Sequence, residues 1–206
     1  MKTLFFSLLM LFHAWSGKPS ISSAAIGGVS VLAVNTLSST VDWRAEKATG
    51  THTGTVRVSS GDLVMHCGLL YSGTVTLDMS SLTVADLSSP DKQKLENNLR
   101  SDYFFDTGKF PEAQLAITSV NHNSEKVLHF VTILANLTIR GITKQITFTA
   151  DVARSTINDF AAEANIVVNR CDWNIATGNL FYNKLIYKDI RLHVQLQASR
   201  PEPKVS

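Results

Sequence analysis

Charged residues are scarce in this sequence, and those of one sign do not cluster. Of 206 residues, 19 are Lys or Arg and 17 are Asp or Glu, which gives a net charge of +2 and a charged fraction of 17%. The basic residues are scattered, so the chain lacks the cationic stripe that binds nucleic acid. The sequence therefore argues against nucleic acid and other polyanions as partners.

Long apolar runs are also lacking, except for one at the amino terminus. It covers residues 4–15, follows a single lysine, and leads into a polar segment with small residues at Ser22 and Ala24. A membrane-spanning helix needs about 20 apolar residues, so this run is short for a span. The pattern is typical of a secretory signal peptide. We expect residues 1–24 to be such a peptide, cleaved near Ala24 or Ala25, and the protein to be periplasmic or secreted. An uncleaved anchor is the alternative.

Cysteine is nearly absent, since only Cys67 and Cys171 occur. Export would place both in an oxidising compartment, where a disulfide between them is allowed. Cysteines on apolar strands are also commonly small buried hydrophobic residues, which is the alternative. Neither has the neighbours of a nucleophilic thiol, apart from His66, whose side chain should point to the other face of a strand.

Motifs of common enzymes are missing as well. The sequence has no G-x-S-x-G, no H-E-x-x-H and no Gly-rich phosphate loop. His129 shares an apolar face with Val127, Val131 and Ile133. On such a face a lone histidine is more often a core residue than a base or ligand. Four other histidines are dispersed along the chain after the amino-terminal apolar run, namely His52, His66, His122 and His193. A cation could be bound by Asp86, Asp102 and Asp106, but the two that lie within residues 102–111 have a simpler role as turn formers. We expect no catalytic residue, metal or cofactor.

The chain does contain many stretches in which apolar and polar residues alternate. Ile146 and Phe148, for example, fall on one face, while Thr147 and Thr149 fall on the other. Alternation with period two between short turns is the pattern of an antiparallel sheet. Eight or nine strands are expected, within residues 40–48, 52–59, 62–67, 74–79, 113–121, 126–139, 142–152, 159–168 and 189–198.

So many antiparallel strands in one small domain must hide their edges, and closing the sheet into a barrel does so. We therefore predict an all-β fold, an antiparallel barrel of about eight strands at residues 39–198. A flexible segment at 25–38 precedes the barrel, and a tail at 199–206 follows it.

One helix is expected after the fourth strand. Ser89 is placed to cap it, Pro90 suits the first helical position, and Leu95 and Leu99 form a narrow apolar stripe. A helix this polar should lie on the surface, over an opening of the barrel. It leads into the loop DYFFDTGKFP, at residues 102–111, whose aromatic rings would form an exposed apolar patch unless they cover a core or bind something.

The distribution of large side chains favours a hollow barrel. The inward rows are rich in Ala, Val and Ile, whereas the rings are concentrated in the loop, where only one of the adjacent Phe104 and Phe105 should face the cavity. An eight-stranded barrel holds either its own side chains or one small ligand, so a packed barrel is the alternative. The residues expected to line the cavity and its mouth are Trp43, Val75, Leu77, Phe104, Phe105, Phe110, Leu115, Ile117, Val131, Ile133, Ile146, Phe148, Ile166, Leu192 and Val194.

Four segments carry a resemblance to a known family. They are STVDWRAEKATGTHTGTV, SGTVTLDMSSLTVADL, KLENNLRSDYFFDTGKFPEAQLAITSV and LTIRGITKQITFTADV, in order between about Ser39 and Ala198. With these segments the chain resembles the YceI-like family, also called polyisoprenoid-binding proteins. The resemblance implies a lipocalin-like barrel, exported to the bacterial periplasm, that holds a long isoprenoid, a quinone tail or a similar amphiphile.

The resemblance also assigns residues. Its aromatic and acidic loop corresponds to Asp102, Phe104, Phe105, Asp106, Phe110 and Pro111, and its glycine-containing hairpin to Leu137, Thr138, Gly141, Thr143 and Lys144. A His-rich pattern of relatives is reduced here to Trp43, His52 and Gly54. The expected partner is a long-chain isoprenoid or other amphiphilic lipid, bound for storage or transport without turnover. Transient membrane contact and a homodimer are compatible with this role.

Two other functions stay open at this point. A lipocalin-like enzyme acting on an apolar substrate would depend on His129 or on an acidic residue of the mouth. A structural or stress-related barrel would have a filled interior and no ligand.

Overall fold

The computed structural model describes residues 28–122, 129–177 and 186–201. Most of these residues belong to β-strands. The elements are β1 (Val29–Val34), β2 (Thr40–Lys47), β3 (Gly50–His66), β4 (Leu69–Val84), α1 (Asp91–Arg100), β5 (Glu112–His122), β6 (Phe130–Ile139), β7 (Ile142–Ser155), β8 (Asp159–Asn169), a 3₁₀ helix (Arg170–Trp173) and β9 (Ile186–Ser199).

The strands close into an antiparallel barrel. Around the barrel the order is β2, β9, β8, β7, β6, β5, β4 and β3, and β3 pairs again with β2. Strand β1 lies between β3 and β9, as β2 does, because Ala33 pairs with Asp62 of β3 and with Ser199 of β9. β1 and β2 thus share one of eight positions in the wall. The predicted all-β, eight-stranded barrel with one helix after the fourth strand is confirmed.

Two stretches differ from the sequence expectation. Residues 25–38 were expected to lie outside the barrel, yet β1 pairs with β3 from Val29–His66 to Ala33–Asp62. Apolar residues on both faces of β1 hide the period-two pattern there. The two strands expected at 52–59 and 62–67 are one strand, β3, in which β-bulges shift the pairing with β4 without ending it.

The barrel has two distinct ends. The helix end carries the β2–β3 hairpin, α1, the β6–β7 hairpin and the 3₁₀ helix, and the far end carries Gly28 and the β3–β4 and β7–β8 turns. Arg140 and Gly141 both have positive φ, 51° and 71°, as the type I′ turn of a two-residue hairpin requires. The far end is filled by fully buried side chains, namely Leu32, Leu63, Met65, Leu70 and Phe160.

Helix α1 lies against β4 through polar bonds as well as leucines. The backbone N–H of Val84 donates to Glu96 Oε1 at 2.9 Å, and Arg100 donates to the carbonyl of Leu82 at 2.5 Å. The predicted Ser89 cap is wrong, because Pro90 occupies the N-cap position and no side chain caps the helix. None of the helices in the described ranges is long and apolar enough to cross a membrane.

Candidate functional site: an apolar cavity in the barrel

A cavity of about 90 Å³ lies in the middle of the barrel, and we call it the mid-barrel cavity. Its lining comes from seven strands, β2 and β4 to β9, and mainly from their inward positions, so the period-two pattern of each strand supplies a largely apolar wall. Many of these inward side chains remain only half-buried although they face the interior. They are Leu77, Leu115, Ile146, Phe148, Leu192, Val194 and Leu196. A barrel filled by its own side chains would bury them fully, so this part of the interior is hollow.

A second cavity, of about 110 Å³, lies at the helix end, and we call it the helix-end cavity. Leu99 of α1 and the aromatic loop cover it, as the sequence predicted for the helix. It shares Leu77, Ala113, Leu137 and Leu192 with the mid-barrel cavity. The two cavities are therefore neighbours that share part of their walls.

The structure brings most of the predicted site residues together. Those that line the mid-barrel cavity are Val75, Leu77, Leu115, Ile117, Ile133, Ile146, Phe148, Ile166, Leu192 and Val194. The predicted inward register is thus confirmed, with Phe148 inside and Thr147 exposed. The helix-end cavity adds Trp43, Phe104 and Phe105.

Two predicted residues do not line either cavity. Val131 is 4% exposed and belongs to the packed core nearer the far end. Phe110 is half-buried beside the β6–β7 hairpin, where a Cβ on Gly141 would lie 3.0 Å from its ring, and Lys109 Nζ lies 5.2 Å from the ring centroid. Phe110 therefore packs on the outside of the helix end rather than at the mouth.

The aromatic loop differs from the expectation in one respect. Phe104 and Phe105 both line the helix-end cavity, whereas only one was expected to do so. The expectation assumed an extended segment, but residues 101–105 form successive turns, so neighbouring side chains need not point in opposite directions. Phe104 is the more buried, at 8% exposure, and packs edge-on against Tyr103 at 5.2 Å.

The loop is fastened to the chain that follows β8. The N–H of Ala176 donates to the carbonyl of Tyr103 at 3.1 Å, and the Tyr103 hydroxyl donates to the carbonyl of Ala176 at 3.2 Å. Arg140 donates to the carbonyls of Asp102 and Asn174, at 3.0 and 2.8 Å. These bonds hold the aromatic rings in place over the helix-end cavity.

Sequence reasoning missed Arg170, which lines the helix-end cavity and is 1% exposed. Its guanidinium donates to four backbone carbonyls, those of Ile175 at 2.7 Å, Ile186 at 3.0 Å, Ala176 at 3.1 Å and Tyr187 at 3.1 Å. Nearby, Trp173 Nε1 donates to the carbonyl of Leu137 at 3.2 Å. Arg170 thus ties the start of β9 to the residues after the 3₁₀ helix. An arginine next to a strand end carries no sequence signal for burial.

Trp43 stands on β2 between Gly54 of β3 and Leu192 of β9. Its indole occupies the space over Gly54, where a Cβ would lie 2.6 Å from Cζ2. The side chain is 8% exposed, and its Nε1 is buried without a hydrogen-bond acceptor. The remaining lining of the helix-end cavity is apolar except for Arg170.

The histidines, and the acidic residues singled out from the sequence, lie away from the cavities. His52 Nδ1 is 2.8 Å from Asp86 Oδ2, and the N–H of Thr53 donates to Asp86 Oδ1 at 2.8 Å. Burial disfavours the charged carboxylate, but the bonds from Thr53 and His52 outweigh it, and the pKa of Asp86 is lowered. His129 is exposed in a turn, so its predicted place in the core is wrong; Val127 lies outside the described residues. Within the described ranges, no three His, Cys, Asp or Glu residues are grouped to hold a metal.

The possible disulfide is not formed, because both thiols are free. Cys67 is exposed in the β3–β4 turn at the far end, and Cys171 is half-buried in the 3₁₀ helix at the helix end. The length of the barrel separates them, whereas a disulfide needs Cα atoms within about 7 Å. The alternative expectation, that both cysteines lie on apolar strands, is also wrong, because Cys67 lies in a turn and Cys171 in the 3₁₀ helix.

Comparison with known proteins identifies relatives of this barrel. The sequence profile of the YceI-like domain matches residues 32–198. The UPF0312 protein YE1254 of Yersinia enterocolitica is 32% identical over 87 residues, which is 40% of this chain and 43% of that protein. The chain thus spans less than half the length of this curated relative.

Solved structures share the fold. BcnA of Burkholderia cenocepacia superposes with a TM-score of 0.68 at 16% identity, covering 81% of this chain and 99% of that one. A polyisoprenoid binding domain from Saccharophagus degradans, implicated in plant cell wall breakdown, gives 0.63 at 15% identity, covering 82% and 98%. The YceI protein of Campylobacter jejuni gives 0.53 at 20% identity, covering 66% and 75%.

Proposed function

The chain belongs to the YceI-like family, and on that premise we propose that its barrel binds the long apolar tail of an isoprenoid lipid or similar amphiphile. The observation that carries the proposal is the row of inward apolar side chains that stay half-buried around the two cavities. The polyisoprenoid binding domain of Saccharophagus degradans, which has the same fold, supports this ligand class.

The physical chemistry of the cavities suits such a tail. Each methylene moved from water into an apolar cavity gains about 0.8 kcal/mol, so even a partly enclosed isoprenoid is strongly favoured over free solution. A bilayer solvates the same tail about as well, so transfer between protein and membrane is nearly balanced. This balance suits a carrier or reservoir with transient membrane contact better than a tight sink.

The size of the cavities sets a condition on binding. The mid-barrel and helix-end cavities measure about 90 and 110 Å³. Sites for drug-sized ligands hold about 300–1,000 Å³. A long tail must therefore occupy both cavities and turn aside the side chains between them, chiefly Leu77 and Leu192. Both are half-buried and border free space, so they can change rotamer without displacing packed neighbours.

The proposal extends to where the protein acts. The basic start and short apolar run of residues 1–15 support export to the periplasm or beyond, with cleavage near Ala24 or Ala25. Amino-terminal sequencing of protein recovered outside the cytoplasm should begin near residue 25. Recovery of the intact chain from the cytosol would contradict export.

We place binding rather than catalysis in the barrel. The lining of its two cavities is mainly apolar, and the His52–Asp86 pair lies outside both. Glu163 is the carboxylate residue that borders the mid-barrel cavity, but it is exposed and alternates with the inward Ala162 and Ala164 on β8. An enzyme acting on an apolar substrate would need an acid, a base or a nucleophile beside the bound tail. Turnover of an apolar substrate by the purified protein would contradict this part of the proposal.

The experiment compares two neighbouring alanines of β8. Ala162 lines the mid-barrel cavity, whereas Ala161 belongs to the opposite face of the strand. Protein purified from its own host is analysed by native mass spectrometry and by organic extraction. Ala162→Leu should fill the cavity and lower the amount of co-purifying lipid, and Ala161→Leu should leave it unchanged.

Two results would contradict the proposal. If the wild-type protein carries no apolar material and takes none up from isoprenoid-containing vesicles, the barrel does not bind a lipid. Equal lipid content in wild-type and Ala162→Leu protein places the lipid outside the cavity. Thermal unfolding of both variants confirms that they are folded.

A further inference from the structure

We infer that the mid-barrel cavity opens through the side of the barrel, between β7 and β8, and that a lipid tail enters and leaves by this route. The opening, which we call the lateral seam, runs between residues 142–149 of β7 and residues 165–169 of β8. The inference rests on the proposed function, because it concerns the path to the same cavity. It replaces the entry that the sequence predicts at the helix end.

The first observation is that strand pairing stops partway between β7 and β8. The two strands pair in the half next to the far end, as far as Ala150–Ala164, and no pair follows toward the helix end, although both strands are described in full. On their other sides both strands are paired throughout this stretch, β7 with β6 as far as Ile142 and β8 with β9 as far as Asn169. The barrel therefore closes near the far end but lacks ladder hydrogen bonds along one line of its wall.

Burial along β7 falls where this pairing stops. Ala150 and Val152 belong to the inward row, pair with β8 and are buried. Farther along the same row, Phe148 and Ile146 are half-buried and Lys144 is exposed. The inward row thus loses its cover over the same residues that lose their partners in β8.

The end of the barrel does not cause this trend, because the neighbouring strand β6 does not follow it. Ile133 pairs with Phe148, lines the same mid-barrel cavity and is buried. Leu137 pairs with Lys144 and is buried as well. At these residues β6 has a paired strand on both sides, whereas β7 has one on a single side. The exposure of Phe148 and Lys144 therefore reflects the open side of β7.

The seam joins an uncharged outer rim to the cavity. Continuing the observed register places Thr147 opposite Val167 on the outer face. It places Phe148 opposite Ile166 on the inner face, and both of these side chains line the mid-barrel cavity. Val167 is apolar and 58% exposed. At this level a tail crosses the wall without breaking a ladder hydrogen bond or stripping water from a charged group.

The test bridges the seam covalently. Thr147→Cys and Val167→Cys are combined with Cys67→Ser and Cys171→Ser, and the two new thiols are joined with a short bismaleimide. The matched control joins Thr147→Cys to Leu134→Cys in the same background, because positions 147 and 134 pair across β7 and β6, where the wall is already closed. Thr147, Val167 and Leu134 line neither cavity, so both bridges leave the lining unchanged.

The measured quantities are the rates of uptake and release of farnesylacetone, an isoprenoid ketone. They are followed by stopped-flow competition with the dye N-phenyl-1-naphthylamine. Bridging the seam should slow both rates about 10-fold or more while affinity changes less than about 3-fold, because the route is closed and the cavity is not. The bridge between β6 and β7 should change neither rate.

Hydrogen exchange of the wild-type protein tests the seam without any bridge. Alternate residues of an antiparallel strand direct their backbone groups to opposite neighbours, so every second amide of residues 142–149 should bond to β6. The amides between them, which face the seam, should exchange with deuterium about 10-fold or more faster than the amides of β6. Fast and slow amides should therefore alternate along this part of β7.

Three outcomes overturn the inference. If the amides that face the seam exchange as slowly as those of β6, the wall is closed. If bridging the seam leaves both rates unchanged, the tail passes elsewhere. If the two bridges slow the rates equally, they stiffen the barrel and do not block a route. In these cases lipid binding itself stands. If farnesylacetone does not bind the wild-type protein, the proposed function fails together with the inference.

Discussion

The indole of Trp43 packs against the backbone of Gly54, its neighbour across β2 and β3. A Cβ at Gly54 would lie 2.6 Å from Trp43 Cζ2 and 1.8 Å from the carbonyl oxygen of Thr83. Gly54 is therefore required for close approach and not for an unusual φ. The missing side chain lets a large ring lie on the inner face of the barrel without closing the helix-end cavity.

Gly54→Ala should destabilise the protein by about 1–3 kcal/mol, because the added methyl overpacks a site bounded by backbone and a ring. Urea unfolding of the variant and the wild type measures the difference. Gly108→Ala is the matched control, since a Cβ at Gly108 would meet no atom within 4 Å. Equal midpoints for Gly54→Ala and the wild type would contradict the packing described here.

Phe105→Ala should weaken ligand binding more than it weakens the fold. Phe105 lines the helix-end cavity and is half-buried, so its removal costs contact with the ligand, about 10-fold or more in affinity for farnesylacetone. Phe104→Ala should also lower the stability of the empty protein, by about 3–5 kcal/mol, because Phe104 is buried and packs on Tyr103.

Phe110→Ala is the control for both substitutions. Phe110 belongs to the same loop but lines neither cavity, so affinity should not change. If Phe105→Ala binds like the wild type while Phe110→Ala binds more weakly, the mouth lies on the outside of the β6–β7 hairpin instead.

Acid should remove the contribution of Asp86 to stability. The folded-state pKa of Asp86 is lowered from its ordinary value of 3.8, so the folded protein binds the proton less readily than the unfolded chain. The stabilisation is therefore fully present above the ordinary pKa and is lost as the pH falls through the lowered one. Asp86→Asn should be less stable than the wild type at pH 7, and the difference in urea midpoint should shrink as the pH falls below about 4.

Other acidic groups titrate in the same range but are shared by the two proteins. The pKa of Asp78, for example, is lowered by the Ser80 hydroxyl and, against the effect of burial, by Arg57. Both proteins retain Asp78, so the difference between them isolates Asp86. A difference that stays constant down to pH 2 would show that Asp86 acts through shape and not through charge.

The inner wall could be predicted from the sequence because each strand signals its own register. Ile146 and Phe148 alternate with threonines, and the apolar row of such a strand faces the interior because its burial removes it from water. Strand β1 could not be found this way, because Val29 and Val31 are apolar on the outer face while Leu32 and Val34 are apolar on the inner one. Alternation disappears where both faces are apolar.

The helix end resisted prediction because its contacts join residues far apart in the chain. Tyr103 bonds to Ala176, and Arg140 bonds to Asp102 and Asn174. Main-chain carbonyls accept most of these bonds, and a carbonyl is present at every residue, so no residue type marks the partner. The unpaired Nε1 of Trp43 is likewise visible only once its neighbours are placed.

Both thiols should react with Ellman's reagent in the folded protein. Cys67 is exposed and Cys171 is half-buried, so Ellman's reagent should react with Cys67 first. Cys67→Ser should abolish the fast phase and keep the slow one. Air oxidation should form no disulfide between Cys67 and Cys171. A monomer whose mass is lower by two hydrogens would contradict the placement of the cysteines at opposite ends of the barrel.

The last prediction concerns Arg170, whose guanidinium bonds four backbone carbonyls in the buried wall of the helix-end cavity. A lysine ammonium has three donors on a single nitrogen and cannot reach four carbonyls arranged around a planar fork. Each buried carbonyl left without a donor costs about 1–3 kcal/mol, so Arg170→Lys should unfold at markedly lower urea although the charge is kept. Arg44→Lys is the control, because Arg44 is exposed and its ion pair with Glu46, 3.3 Å apart, contributes little. If Arg170→Lys unfolds at the same urea concentration as the wild type and as Arg44→Lys, the charge of residue 170 is sufficient and its four hydrogen bonds do not stabilise the fold.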